Sequence, residues 1–216
     1  MLTMKAQYNL ADAEKYFEQH LQVGDYYMEG QEVLGEWFGK GAEDLGLSGV
    51  TQADEFLKLC ENIHPQTRER LTQRQNAKRV TMDGDGNTHE SANRRVFYDF
   101  TLSPPKSVSI VALAGNDQRI VQAHDEAVRT ALNELQSYSA TRVRKQNQYS
   151  HRLTGNLVGA IFRRDTSRAL DPHLHTHCIL FNATKDSVED RWKSTGALRN
   201  AAGQEIHREC VLSRIG

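Results

Sequence analysis

The sequence reads as an α+β chain, and three observations carry that reading. Arg95–Leu102 alternates and is rich in aromatic residues, as a strand does. Asp117–Ser139 places Ile120, Val121, His124, Val128, Leu132 and Leu135 on one face of a helix. Cys178–Phe181 is a short apolar run, and before it His173, His175 and His177 stand at alternate positions.

The other elements follow in order. The first residues form a short strand, and Leu10–Leu21 reads as a helix with Asp12 as its N-cap. Glycines 39, 41, 46 and 49 break any long helix, leaving a turn or two over Ala42–Leu45, with Trp37 and Leu45 expected inside. The stretch is not a P-loop, because no Gly-Lys-[Ser/Thr] closes it. Ala53–Cys60 reads as a helix with Phe56, Leu57 and Cys60 inward. Met82–Asn87 is a turn; it fails as a calcium loop because position 12 is Arg94. Ser107–Ala114 is an apolar helix or strand. Thr141–Lys145 and Leu153–Phe162 read as strands joined by a polar segment.

A chain of 216 residues suggests one domain, with room for a small appendage. No apolar run is long enough to span a membrane, and Met1–Leu21 lacks a signal-peptide pattern. Cys60, Cys178 and Cys210 are odd in number and widely spaced, which argues for a reducing, cytoplasmic setting. Net charge is −1, yet Thr141–Arg168 holds Arg142, Arg144, Lys145, Arg152, Arg163, Arg164 and Arg168 against the single acid Asp165. A second basic cluster runs from Arg68 to Arg79. Two such clusters flanking a chemical site suit a phosphate backbone.

Alternate positions on a strand share a face, so His173, His175 and His177 form a candidate metal site. At ~3.3 Å per residue, i and i+4 lie roughly 13 Å apart. One straight strand therefore supplies two of these imidazoles to an ion, and the third ligand is expected from a neighbouring strand. Asp99 lies inside a strand, where an unpaired carboxylate costs several kcal/mol, so it needs a partner. Tyr16, Tyr26 and Tyr27 are candidate nucleophiles if a base or a polarised phosphate activates them.

These motifs resemble those of the MobF-type conjugative relaxases, members of the HUH endonuclease superfamily. The resemblance rests on Leu174-His175-Thr176-His177 after a proline and on the tyrosine clusters at Tyr16-Phe17 and Tyr26-Tyr27. It rests equally on the Trp-x-Gly-x-Gly-Ala-Glu-x-Leu-Gly-Leu-x-Gly stretch from Trp37, Asp99–Ser109, and Thr154–Val158. It covers about Tyr16–Lys193, giving a relaxase domain over 1–193 and a divergent tail over 194–216 that lacks the family's C-terminal lobe. The implied fold is α+β, an antiparallel sheet with flanking helices of the HUH palm type. The implied activity is strand-specific nicking at a plasmid transfer origin, with Tyr16 attacking first, Tyr26 or Tyr27 second, and Asp99 as base or histidine orienter. His175 and His177 would hold a divalent ion such as Mg, Mn or Zn. The family's third histidine falls at Arg164, which offers no lone pair, so His173 is the fallback. Lys106, Arg142, Arg144, Lys145, Arg152, Arg164 and Arg168 are the expected DNA contacts. Implied partners are single-stranded DNA, accessory relaxosome proteins and a coupling protein. The alternative is a degenerate relaxase-like protein that binds single-stranded DNA with little or no cleavage.

Overall fold

The computed structural model describes residues 1–8, 10–17, 35–73, 78–82, 88–92, 95–145, 147–167 and 169–196. The first half contains β1 (Leu2–Gln7), α1 (Leu10–Tyr16), β2 (Glu36–Phe38), α2 (Lys40–Asp44), α3 (Ala53–Glu61), β3 (Lys78–Met82) and β4 (Thr88–Ala92). The second half contains β5 (Phe97–Leu102), α4 (Lys106–Leu113), α5 (Gln118–Ser137), β6 (Ala140–Lys145) and β7 (Gln148–Leu153). It ends with β8 (Gly159–Thr166), β9 (Pro172–Phe181), β10 (Thr184–Asp186) and β11 (Arg191–Lys193).

Five strands form one antiparallel sheet in the order β1-β5-β9-β8-β2. The histidine strand β9 is central, paired with β5 on one side and β8 on the other. The expected α+β architecture is therefore the observed one. Three further two-stranded ribbons, β3–β4, β6–β7 and β10–β11, stand outside the sheet.

Each face of the sheet has its own core. Phe97, Phe162, Ile179 and Phe181 pack with Phe17, Phe56 and Trp37 on one face. Leu180, Cys178 and Phe100 meet Val128, Leu132 and Leu135 of α5 on the other. Leu174 packs with Ala112 and Val121 between α4 and α5. Pleating explains the division, since β9 sends alternate side chains to opposite faces. Asp117 caps α5 by accepting from the Arg119 N–H, as a β-region Asn/Asp/Ser cap does.

The glycine-rich stretch is shaped by a close approach. Gly39 has φ +94, and a Cβ there would lie 2.5 Å from the Leu157 carbonyl oxygen. The Gly41 N–H donates to that same oxygen at 2.8 Å. Asn156 beside it is buried and fully used. Its amide donates to Asp44, its side-chain oxygen accepts from the Lys185 N–H, and its backbone carbonyl accepts from Thr184.

Several local readings need correction. The first helix begins at Leu10, so Asp12 lies in its first turn instead of capping it. Leu59 joins Phe56 and Cys60 as buried in α3, while Leu57 packs at the margin. The segment read as a polar connection is largely strand. Gln148–Leu153 pairs with β6, and Thr154–Val158 is the loop. Its exposed, uneven side chains hid the alternation on which sequence reading depends. The β3–β4 ribbon was not anticipated either. Among the described residues, no helix is long and apolar enough to cross a membrane.

The ribbon β10–β11 is tied to β7 through Asp186, whose side chain is 1% exposed. Burial alone would raise its pKa. Hydrogen bonds from Arg152 and Lys193 and from the Val188 N–H outweigh that and hold the carboxyl down, at about 2. A folded-state pKa below the unfolded one adds stability that is present above the ordinary value of 3.8 and lost as pH falls toward 2. Asp186→Asn is expected to cost roughly 2 kcal/mol at neutral pH. It should also flatten the acid limb of a denaturation profile between about pH 4 and 2. Parallel acid titrations of the two proteins, followed by circular dichroism, check this.

Candidate active site

The site lies on the α1/α3 face of the sheet, where the aromatic core gives way to polar groups. Cross-strand partners share a face, so the registers assemble it. Phe162 and Thr101 flank His177, Ala160 and Asp99 flank Ile179, and Arg164 pairs with His175. The Cys178–Phe181 run anchors this end of β9 in the core, which fixes where the histidines ahead of it stand.

Asp99 is 3% exposed, and the structure supplies the partners its burial demands. Its carboxylate accepts from His177 Nδ1 at 2.9 and 3.1 Å and from the Tyr16 hydroxyl. Thr101 Oγ1 approaches the same His177 nitrogen at 3.3 Å. A carboxylate only accepts, so His177 carries its proton on Nδ1 and, when neutral, its lone pair on Nε2. His175 Nδ1 donates to the His173 carbonyl at 2.8 Å, which fixes the same tautomer. Histidines that bind metals are oriented in this way.

Tyr16 sits at the end of α1, with its ring edge-on to His177 at 6.5 Å and tilted against Phe97 at 6.2 Å. The next residue, Phe17, faces the other way. It is 2% exposed and stacks on Phe56 at 4.1 Å. A hydroxyl at position 17 would therefore point into the aromatic core, away from Asp99. Tyr26 and Tyr27 lie outside the described residues.

The donor set does not fit a three-ligand metal centre. His175 and His177 have ring centroids 5.2 Å apart and orient Nε2 for ligation. His173, the fallback third ligand, instead stacks on His175 at 4.7 Å. Burial, reinforced by the charge of Lys106, pushes its pKa down. Among the described residues, no group of three or more His, Cys, Asp or Glu side chains is placed to share an ion. The third position is Arg164, which is buried.

The expected DNA contacts separate by surroundings. Arg142 and Arg144 project from β6 beside Tyr149 of β7, with guanidinium carbons 3.7 and 5.5 Å from its ring centroid. Tyr149 is 58% exposed. A cleft of about 330 Å³ opens beside them, lined also by Gln73, Arg191 and Trp192. Lys106 is half-exposed and 4.0 Å from Asp171. Arg152 is a correction: its guanidinium is held by Asp186 and Glu189, a structural task created by a ribbon that the sequence did not reveal. The Lys145 side chain and Arg168 fall outside the described residues.

Sequence reading missed two residues here. Lys5 is the β1 partner of Asp99, and its Nζ lies 5.5 Å from the Tyr16 ring centroid. Only the sheet order brings it there. Tyr149 was missed although it alternates with arginines across a hairpin, a signal visible once the two strands are paired.

Comparison with known proteins now bears on this geometry. The sequence model of the TrwC relaxase family matches residues 10–212. Multifunctional conjugation protein TraI of Escherichia coli K12 is 38% identical over 189 residues, 84% of this chain and 10% of TraI. Conjugative relaxase TrwC in complex with oriT DNA, in its metal-bound form, superposes with a TM-score of 0.70 at 33% identity. The match covers 90% of this chain and 61% of that one, and the copper-bound form gives the same values. The metal-free form gives 0.68 at 32% identity, over 90% and 60% of the two chains. The chain thus spans about a tenth of TraI and about three fifths of the TrwC chains. A match over nearly all of its length, on a fold that carries the same motifs, means that this chain belongs to the TrwC relaxase family, the MobF-type relaxases.

Proposed function

We propose that this chain nicks one strand of DNA at a transfer origin by transesterification to Tyr16, the reaction that initiates conjugative transfer. The observation that carries this reading is the hydrogen-bonded chain Tyr16–Asp99–His177 at the polar end of the central strands. TrwC, the structural relative, is known in complex with oriT DNA, including a 27-mer with the recognition hairpin and the cleavage site.

The chemistry follows from these groups. A free phenol has a pKa near 10, so only about one in a thousand is ionised at pH 7. Asp99 accepts the Tyr16 hydroxyl and can take its proton as Oη attacks phosphorus. The Oη–P bond forms while the bond from phosphorus to the leaving sugar oxygen breaks, and that oxygen takes up a proton. The phosphotyrosine ester conserves the bond energy, so no ATP is consumed and the strand can be rejoined. His177 holds the carboxylate in place through Nδ1–H, and Thr101 braces the ring. Lys5 beside the ring favours the developing phenolate.

Metal-bound and copper-bound TrwC support a divalent ion as a partner of this histidine face, without naming the ion. In this chain it would meet two imidazoles, and the steps above use none of its chemistry. Arg142, Arg144 and Tyr149 form a surface suited to single-stranded DNA, with cations for phosphates and an aromatic face for a base. Accessory relaxosome proteins and a coupling protein are the protein partners that family membership suggests. Binding without cleavage is the less favoured reading, because the Tyr16–Asp99–His177 chain is intact.

The test uses a cognate oligonucleotide selected from a random single-stranded library by retention on the Tyr16→Phe protein. Tyr16→Phe should give no covalent adduct with it, and undiminished adduct from that variant would overturn the assignment. Asp99→Asn keeps the shape but cannot take the proton, and is expected to slow adduct formation by about 10²–10⁴-fold. Its affinity for the oligonucleotide should hold.

For the DNA surface, each phosphate neutralised on a single strand contributes about −0.7 to the log–log salt slope. Arg142→Ala with Arg144→Ala should make the slope shallower by about 1.4. Tyr149→Ala should weaken binding by about 1–3 kcal/mol, nearly independent of salt. Fluorescence anisotropy across a salt series distinguishes the two effects.

A further inference from the structure

The site carries a permanent cation in the place where a third metal donor would complete it. Arg164 is the β8 partner of His175, so both side chains leave the sheet on the same face. It is 7% exposed. Its neighbour Arg163 goes to the opposite face, where its guanidinium meets Asp125 of α5 at 2.7 Å. The register shifts directly after Arg164, between it and Thr166. Bulges of this kind re-aim side chains next to active sites.

A guanidinium stays protonated, donates through a planar fork and offers no lone pair. Set beside His175 and His177, it repels a divalent cation and attracts an anion. The fork matches two non-bridging oxygens of a phosphodiester, which two imidazoles alone do not.

From this geometry we infer that Arg164 grips the scissile phosphate directly, so that this centre binds an anion where a three-histidine centre binds a metal ion. The inference rests on the proposed nicking reaction and deepens it. As Tyr16 Oη bonds to phosphorus and the sugar oxygen leaves, charge gathers on the non-bridging oxygens. Arg164 stabilises that charge with donors already in place. Arg164 is then a catalytic residue, and strand cleavage does not depend on added metal.

The first test needs no variant. The unaltered protein, titrated calorimetrically with MnCl₂ and separately with ZnCl₂, should show no stoichiometric tight site. Its adduct formation in EDTA should stay within about threefold of that in Mn²⁺. Tight one-to-one metal, together with loss of cleavage in EDTA, overturns the inference.

The second test uses Arg164→Gln and Arg164→His, each first checked for a native circular-dichroism spectrum. Removing one preorganised donor from an oxyanion site costs about 10²–10³-fold in rate, and that loss is expected for Arg164→Gln. Arg164→His should gain stoichiometric metal binding and become sensitive to chelator. Unchanged cleavage by Arg164→Gln counts against the inference.

A third measurement is independent of turnover. In the Tyr16→Phe background, Arg164→Gln should weaken binding of the selected oligonucleotide and make its salt slope shallower by about 0.7. If slope and affinity do not move, Arg164 holds no phosphate, even if the protein cleaves. If no variant or metal yields adduct while this slope does change, the nicking reading fails and phosphate binding by Arg164 stands.

Discussion

The buried carboxylate of Asp99 is the constraint on which the site depends. Leaving an ionised carboxylate without hydrogen bonds inside a sheet costs several kcal/mol. This one lies in β5, next to the central strand, at 3% exposure. It is tolerable because two elements reach it, His177 from β9 and Tyr16 from α1. Those contacts bring together a strand and a helix separated by most of the chain. Asp99 thereby selects the histidine tautomer and gives the phenol its acceptor. Folding and chemistry therefore make the same demand on this residue.

That demand is met with a rigid backing. The face of the sheet that carries Asp99 is otherwise aromatic, and Phe17, Phe56, Phe97, Phe162 and Phe181 interlock with ring separations of 4.1–6.2 Å. Offset and edge-on rings resist sliding and fix the end of α1. Phe17 is the anchor and Tyr16 the group it positions. Adjacent residues of one helix turn divide packing from chemistry, because they point some 100° apart around its axis.

The legibility of each part follows from how local its cause is. The histidine strand, α5 and the β5 strand were readable because period and apolar content are local properties. The need of Asp99 for a partner was readable too, since a carboxylate in a strand is anomalous wherever the strand lies. The identity of one partner, Lys5, was not, because it depends on β1 pairing with β5 across nearly a hundred residues. The β6–β7 ribbon was read only in part. Its second strand is exposed on both faces, and a strand without a buried side shows no alternation. The third-ligand argument sits between these cases. Strand geometry alone required the ligand to come from a neighbour, and the register then places Arg164 there.

The basic run at Thr141–Arg168 shows why charge counts along a sequence mislead and charge placement does not. Arg152 and Arg163 are neutralised by Asp186 with Glu189 and by Asp125, so they hold a ribbon and a helix to the rest of the fold. Arg142 and Arg144 lie on the exposed ring of Tyr149, where a strand of DNA can share them. Arg164, one residue from Arg163, is turned by the pleat to the other face and arrives beside His175. Thus the pleat and the pairing register separate five arginines of one stretch into three surroundings. A net charge of −1 is compatible with nucleic-acid binding because the acids are spent on the structural arginines. The cations that remain stand where phosphates would pass.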